Sequence, residues 1–182
     1  MAGLARAARA RILPTSEPAG TVATRTAGVA GFGATLLWDR GESAPPTPTL
    51  PALPRTVRCS VVESDGPGEE EARREILGEI RALTERDLGL ALETVLRSLT
   101  VAAALSDALM ETRVLRVTPP KATPSRIVQT LALDLWRAGF PVRFGRSWTP
   151  VPDPAAVAVG FGGAQAHQLA RFLETHPSWE MS

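Results

Sequence analysis

Hydrophobic and polar positions repeat with two different periods beyond residue 55, and together they predict a folded domain there. Residues 56–63 alternate with period two and are rich in β-branched side chains, which predicts a strand. The three glutamates at 69–71 begin a stretch whose apolar residues recur every three to four positions. Because a helix N-terminus favours negative charge, we expect a helix from there to about residue 83.

A longer helix follows, and its apolar face is unusually wide. Apolar side chains recur with alternating spacings of four and three between residues 88 and 109. Around 101–105 the apolar surface extends further round the helix, which predicts burial on more than one side, as at a domain centre or an oligomer interface. The residues predicted to form such an interface are Leu88, Leu92, Val95 and Leu99.

The remaining pattern predicts three more strands and two more helices. One helix runs from Thr123, whose hydroxyl suits an N-cap, to Gly139, which suits the left-handed residue after a helix. The other elements are strands at 112–118, 141–148 and 155–161 and a helix at 164–174. The order β-α-α-β-α-β-β-α predicts a single α/β domain, with α+β as an alternative, in which three to four helices pack on about four strands.

The first 54 residues differ in composition from this domain. Residues 1–43 begin with arginines spread among Ala, Thr and Ser, which is typical either of a flexible, alanine-rich arm or of an organellar transit segment. Residues 44–54 contain five prolines, which hold the backbone extended and predict a linker. We therefore predict a flexible or targeting arm at 1–43, a Pro-rich linker at 44–54 and a globular domain at 55–182.

Composition narrows the class of protein. The chain has 182 residues, of which 44% are hydrophobic, and no apolar run approaches the roughly 20 residues that cross a bilayer. Its only cysteine, Cys59, excludes an intramolecular disulfide and an all-cysteine metal cage. We expect a soluble protein without membrane contacts, located inside the cell in the cytoplasm or an organellar matrix.

Charge gives little support to nucleic-acid binding. The net charge is +1, and the middle of the chain is acidic whereas both flanks are basic. Nucleic-acid binders usually have a high pI and a clustered basic stripe. Binding through the basic arm together with Arg113, Arg116, Lys121 and Arg126 stays an alternative that would show steep salt dependence.

One glycine-rich turn is a candidate ligand site. It joins an apolar strand to a helix, where backbone N–H groups and the helix dipole could hold a phosphate or carboxylate. The predicted ligand-binding residues are Gly160, Gly162 and Gly163, with Arg146 as a cation from the neighbouring strand. The turn lacks a Walker lysine and the full dinucleotide spacing, so a plain tight turn is the competing interpretation.

The sequence predicts no catalytic residue, metal or cofactor. His167 and His176 lie near one helix, but no third ligand has a spacing that would complete a zinc site. Ser147 with His167 and Asp134 or Asp153 would resemble a triad, yet the nucleophile elbow that such enzymes use is absent.

These observations favour a non-enzymatic intracellular protein that acts through protein–protein contacts, either with another protein or with itself. The alternative is a small phosphate- or nucleotide-binding enzyme that uses the glycine turn at 160–163.

Overall fold

The chain forms two compact units in the computed structural model, which describes residues 10–39, 45, 49–67, 71–153, 155–161 and 166–181. Unit 1 comprises residues 1–27 and 121–182, and unit 2 comprises residues 28–120. Unit 2 is therefore a continuous segment inserted into the sequence of unit 1.

Ten strands and three helices occur among the described residues. In chain order they are β1 (Ala10–Thr15), β2 (Thr21–Thr26), β3 (Gly28–Asp39), β4 (Val57–Pro67), β5 (Glu71–Ala82), α1 (Glu85–Ala104), β6 (Leu109–Thr118), β7 (Lys121–Ala122), α2 (Ser125–Arg137), β8 (Arg143–Ser147), β9 (Ala156–Gly160), α3 (Ala166–Thr175) and β10 (Trp179–Met181). The prediction of a mixed α/β fold is confirmed, but the prediction of about four strands is wrong.

The predicted flexible arm is corrected over residues 10–39. These residues form β1, β2 and β3, and β3 is a 12-residue interior strand of the four-stranded sheet, with neighbours on both sides. Its Ala, Val and Gly content resembles a low-complexity arm, although small residues also suit a strand buried on both faces. The predicted domain start at residue 55 lies inside unit 2 and does not coincide with a boundary between units.

Unit 2 is an antiparallel sheet with one helix on one face. The strand order is β4-β5-β3-β6, and every neighbouring pair is antiparallel. Phe32 and Leu36 from β3 lie in one buried cluster with Val95 and Leu99 from α1. The core of unit 2 is therefore the apolar layer between the sheet and α1.

The helix predicted at 69–83 is wrong, because this segment is the strand β5. Ile76 and Ile80 are buried and face α1 at even-numbered positions. Charges at odd-numbered positions point to the other face, where Arg73 pairs with Glu75 two residues away. The same apolar spacing of four fits either period, and only the sheet partners on both sides select the strand.

The apolar face of α1 is covered inside unit 2. Leu88, Val95 and Leu99 are buried against the sheet, and Leu92 is partly buried in the same cluster. The predicted interface at these residues is corrected, since the side chains are already packed against their own sheet. The helix also ends earlier than predicted, because Leu109 begins β6.

Unit 1 packs α2 and α3 against a mixed sheet. Its strand order is β10-β1-β9-β2-β7, with β8 also pairing with β2. All five residues of β9 are buried, which confirms the prediction of a strand covered on both faces. α2 is confirmed, and Gly139 has the expected positive φ of 86°, but the N-cap is Pro124 and makes no side-chain cap hydrogen bond.

Among the described residues, no helix is both long enough and apolar enough to cross a lipid bilayer.

Candidate functional site

An open cleft of about 760 Å³ lies in unit 1, lined by residues from the end of α2, the loop that follows it and α3. This volume is within the range of about 300–1,000 Å³ that is usual for small-molecule sites. The cleft has apolar aromatic residues at its base and basic side chains at its rim. Such a combination suits a ligand with an apolar body and a negative charge.

The aromatic base is fixed by the way α2 ends. Gly139 adopts a left-handed conformation, so the chain reverses and the N–H of Phe140 donates to the carbonyl oxygen of Leu135 at 3.0 Å. The Phe140 ring then lies edge-on to Phe161 and Phe172, with centroid distances of 5.9 and 6.0 Å. Edge-to-face aromatic packing of this kind makes the base of the cleft rigid.

Four basic residues line the cleft: Arg137, His167, Arg171 and His176. His167 and Arg171 are four positions apart on α3 and therefore lie on the same side of the helix. Arg137 reaches the cleft from the last turn of α2. Among the described residues, no acidic side chain lines the cleft, and neither arginine has a hydrogen-bond or ion-pair partner for its guanidinium group.

His176 forms one wall of the cleft. Its ring stacks on Phe172 with centroids 4.4 Å apart and planes 16° from parallel. Its Nδ1 lies 3.1 Å from the carbonyl oxygen of Phe172 and 2.9 Å from Oγ1 of Thr175. Because a carbonyl oxygen only accepts, the Nδ1-protonated tautomer satisfies these contacts and directs Nε2 away from the helix backbone.

A separate polar cluster lies at the turn between β1 and β2. Oε1 of Glu17 accepts hydrogen bonds from Oγ of Ser147 at 2.8 Å and from the backbone N–H of Trp148 at 2.9 Å. Burial raises the pKa of the Glu17 carboxyl. The hydroxyl groups of Thr15 and Ser147 and the N–H of Trp148 lower this pKa by a larger amount, so the net shift is downward. The cluster ties the end of β8 to the turn after β1.

The triad weighed from the sequence is not assembled. The Ser147 hydroxyl donates to Glu17, Asp134 accepts from the indole Nε1 of Trp179 at 3.0 Å, and Asp153 pairs with Arg11. Each acidic group therefore has a structural partner, and His167 lies exposed in the cleft instead.

The structure accounts for Gly160 without a ligand. A Cβ at this position would lie 2.4 Å from the carbonyl oxygen of Pro18, and the Gly160 carbonyl accepts from the N–H of Gly20 at 2.8 Å. Glycine is required here because two backbones approach closely. Gly162 and Gly163 lie outside the described residues, so ligand binding by the turn stays a prediction.

Arg146 and Gly160 are not brought together. They lie on opposite sides of β2, and Arg146 pairs with Arg25 whereas Val159, next to Gly160, pairs with Val22. β8 runs parallel to β2, whereas β9 runs antiparallel to it. Arg146 and Gly160 therefore lie opposite positions of β2 that are four residues apart. At about 3.3 Å per residue, this displacement alone is about 13 Å.

The two histidines named from the sequence do share the cleft, whereas its two arginines were missed. Arg171 follows His167 by four residues, and that spacing was the available signal. Arg137 belongs to another helix, and nothing in the sequence links it to Arg171. Among the described residues, no group of three His, Cys, Asp or Glu side chains could hold a metal ion.

The fold is one that an amidase and peptidases of known structure share. No family model matches the sequence, and no curated protein matches it either. Solved structures do share the fold. An amidase of the hydantoinase/carbamoylase family from Burkholderia vietnamiensis is 14% identical, with a TM-score of 0.61, over 76% of this chain and 41% of its own.

Two further structures extend this likeness. A tripeptidase from Staphylococcus aureus is 11% identical over 81% of this chain and 47% of its own, with a TM-score of 0.64. An aminobenzoyl-glutamate utilization protein from Klebsiella pneumoniae is 18% identical over 92% of this chain and 54% of its own, with a TM-score of 0.54. The chain thus spans about half the length of these proteins, and at such identities the likeness shows the fold alone.

These structures correct the functional prediction. A non-enzymatic protein that acts through protein–protein contacts was expected, mainly because the face of α1 seemed too wide for one domain. The structures that share the fold include an amidase, an aminopeptidase and a tripeptidase, so the fold is one that enzymes use. The expected protein–protein surface on α1 is also buried in unit 2.

Proposed function

We propose that this protein takes part in the hydrolysis of amide or peptide bonds and that the cleft in unit 1 holds part of the substrate. The observation that carries the proposal is the extent of the structural likeness. Unit 2 makes up about half of the chain, so a match over 76–92% of the chain includes parts of both units. A match that covers both a mixed sheet unit and the sheet unit inserted into its sequence is more specific than a match to either sheet alone.

A shared fold does not define a reaction, and the site must supply independent support. The cleft provides it through its size, its rigid aromatic base and its unpaired positive charge within the described part of the chain. A substrate with a free carboxylate and an acyl or peptide body matches these three properties. The reaction adds water to the carbonyl carbon, breaks the C–N bond and releases an amine with the transferred proton.

The test is an assay of amine release by the full-length protein. Three substrate types follow from the names of the structural relatives: an N-carbamoyl amino acid, a tripeptide and aminobenzoyl-glutamate. We expect release above the spontaneous rate from at least one of them. Release from none of the three by folded protein would contradict the proposal.

A further inference from the structure

We infer that the cleft in unit 1 is a carboxylate-binding site in which Arg171 and Arg137 hold the anion and the aromatic base takes the apolar body of the ligand. Carboxylate binding follows from the cleft alone. The identification of the ligand as an amide, such as an N-acyl amino acid, rests on the proposed function.

The charge of the cleft favours a carboxylate ligand. The guanidinium group has five N–H donors in a planar fork that matches the two oxygens of a carboxylate. Some arginines of the described chain, among them Arg11, Arg74 and Arg97, have acidic partners within the protein. Arg137 and Arg171 line one cleft that has no acidic residue among those the structure describes, which leaves their donors to water or a ligand. Two such groups around one cavity favour an anion of low molecular weight.

The positive charge of the cleft lies directly beside its aromatic base. Arg171 immediately precedes Phe172, which is buried and supports the cleft from below. The Phe172 ring is held by Phe140 on one side and by His176 on the other. An aromatic or branched apolar group can therefore rest against a rigid surface while its carboxylate reaches the rim. A free inorganic anion would use the rim and leave the base unfilled.

The test is calorimetric titration of the full-length protein with N-benzoylglycine, which combines an aromatic body, an amide and a carboxylate. N-benzoylglycinamide has the same body without the charge and serves as the ligand control, and inorganic phosphate tests whether any anion suffices. We expect saturable binding of N-benzoylglycine only. A charge-assisted pair contributes about 1.5–3 kcal/mol, so Arg171→Gln is expected to weaken binding by about tenfold or more.

A matched variant separates local from general charge effects. Arg126→Gln removes one exposed positive charge from α2, at about 16 Å along the helix from Arg137. We expect it to bind as the unchanged protein does, whereas Arg137→Gln weakens binding and Arg171→Lys gives intermediate affinity. Since the protein has two histidines, proton NMR of their rings locates the ligand, and both signals should move on binding.

Four results would overturn the inference. The first three are no binding of N-benzoylglycine, equal binding of the neutral amide, and equal weakening by Arg126→Gln and Arg171→Gln. Binding that phosphate reproduces would reduce the cleft to a general anion site and would also overturn it. The proposed function fails separately. Carboxylate binding without amine release from any substrate contradicts hydrolysis and keeps the site, whereas hydrolysis that Arg171→Gln leaves unchanged contradicts the site and keeps hydrolysis.

Discussion

Arg74 of unit 2 and the two arginines of the cleft in unit 1 have different surroundings. In unit 2, Arg74 donates through Nε to Asp65 at 2.6 Å and through Nη1 to the carbonyl oxygen of Pro45 at 2.9 Å, and it lies over the ring of Trp38. The side-chain hydrogen bond from this guanidinium lowers the pKa of the Asp65 carboxyl. In unit 1, the two arginines of the cleft have no such partner within the described chain. At the cleft, a ligand could therefore take the place that an acidic partner takes beside Arg74.

The cores of the two units also differ, because the core of unit 2 is closed whereas unit 1 contains an open cleft. The core of unit 2 is a closed layer between one helix and four antiparallel strands formed by a continuous segment. Unit 1 joins two distant segments of the chain and has a second apolar cluster beside its main core. Its helices meet the loop after α2 at an open cleft. A filled core stabilises a unit, whereas an open cleft with a rigid base leaves room for a ligand.

The largest expected effect concerns the filled core of unit 2. A Cβ at Gly78 would lie 2.2 Å from Cζ of Phe32, which is fully buried and has little room to move. We expect Gly78→Ala to lower the free energy of unfolding by about 3 kcal/mol, because overpacking a filled core costs about 1–3 kcal/mol. Hydrogen exchange measured by mass spectrometry should show faster exchange in peptides from 28–120.

Gly66→Ala is the matched control, because Gly66 is also a strand glycine of unit 2 but has no atom within 4 Å of an added Cβ. We expect its exchange to stay close to that of the unchanged protein. Equal effects of the two substitutions would show that the core of unit 2 is loosely packed. Equal loss of protection from hydrogen exchange in both units would show that they unfold together. The two units would then differ in architecture but not in stability.

A smaller effect is expected at the polar cluster of unit 1. Glu17→Gln keeps the shape of the side chain but removes the charge that accepts from Ser147 and Trp148. Hydrogen bonds to a charged group contribute about 1.5–3 kcal/mol, so we expect a loss of about 2 kcal/mol at neutral pH. Urea unfolding followed by tryptophan fluorescence measures this loss.

The pH dependence of this effect has a fixed sign. Because the folded state lowers the pKa of Glu17, its contribution is present above the unfolded-state pKa and is lost as the pH falls through the folded-state pKa. The stability difference between the unchanged protein and Glu17→Gln should therefore shrink on acidification. A difference that stays constant down to pH 3 would assign the effect to packing instead of charge.

Local signals in the sequence were sufficient for elements with strong boundaries. α2 has a proline at its start and a left-handed glycine after its end, and β9 is a short run of small apolar residues. Both were predicted to within a few residues. In contrast, β5 has apolar residues four apart, and this spacing fits a strand of period two as well as a helix. Its pairing with β3 and β4 decides the matter, and those partners are distant in sequence.

The candidate site could be predicted only in part for the same reason. His167 and His176 were named because histidines are rare in this chain, and Arg171 lies on α3 between them. Arg137 joins them only because the end of α2 and α3 line the same cleft, and Phe140 reaches the base only because Gly139 reverses the chain. Gly160 and Arg146 look adjacent as strand ends, but the mixed directions of β8 and β9 on β2 separate them.

The smallest expected effects compare a glycine of each unit. Gly89 in α1 and Gly139 after α2 both have open space around an added Cβ, but only Gly139 has a positive φ, of 86°. We expect Gly89→Ala to stabilise the protein by about 1 kcal/mol, because alanine is the better helix former. Gly139→Ala should destabilise it by about 1–2 kcal/mol, because an L side chain is strained in that conformation. Urea unfolding of the two variants measures both signs, and N-benzoylglycine titration then shows whether the turn at Gly139 also sets the base of the cleft. A stable Gly139→Ala protein with unchanged ligand binding would mean that the reversal at Gly139 does not position Phe140.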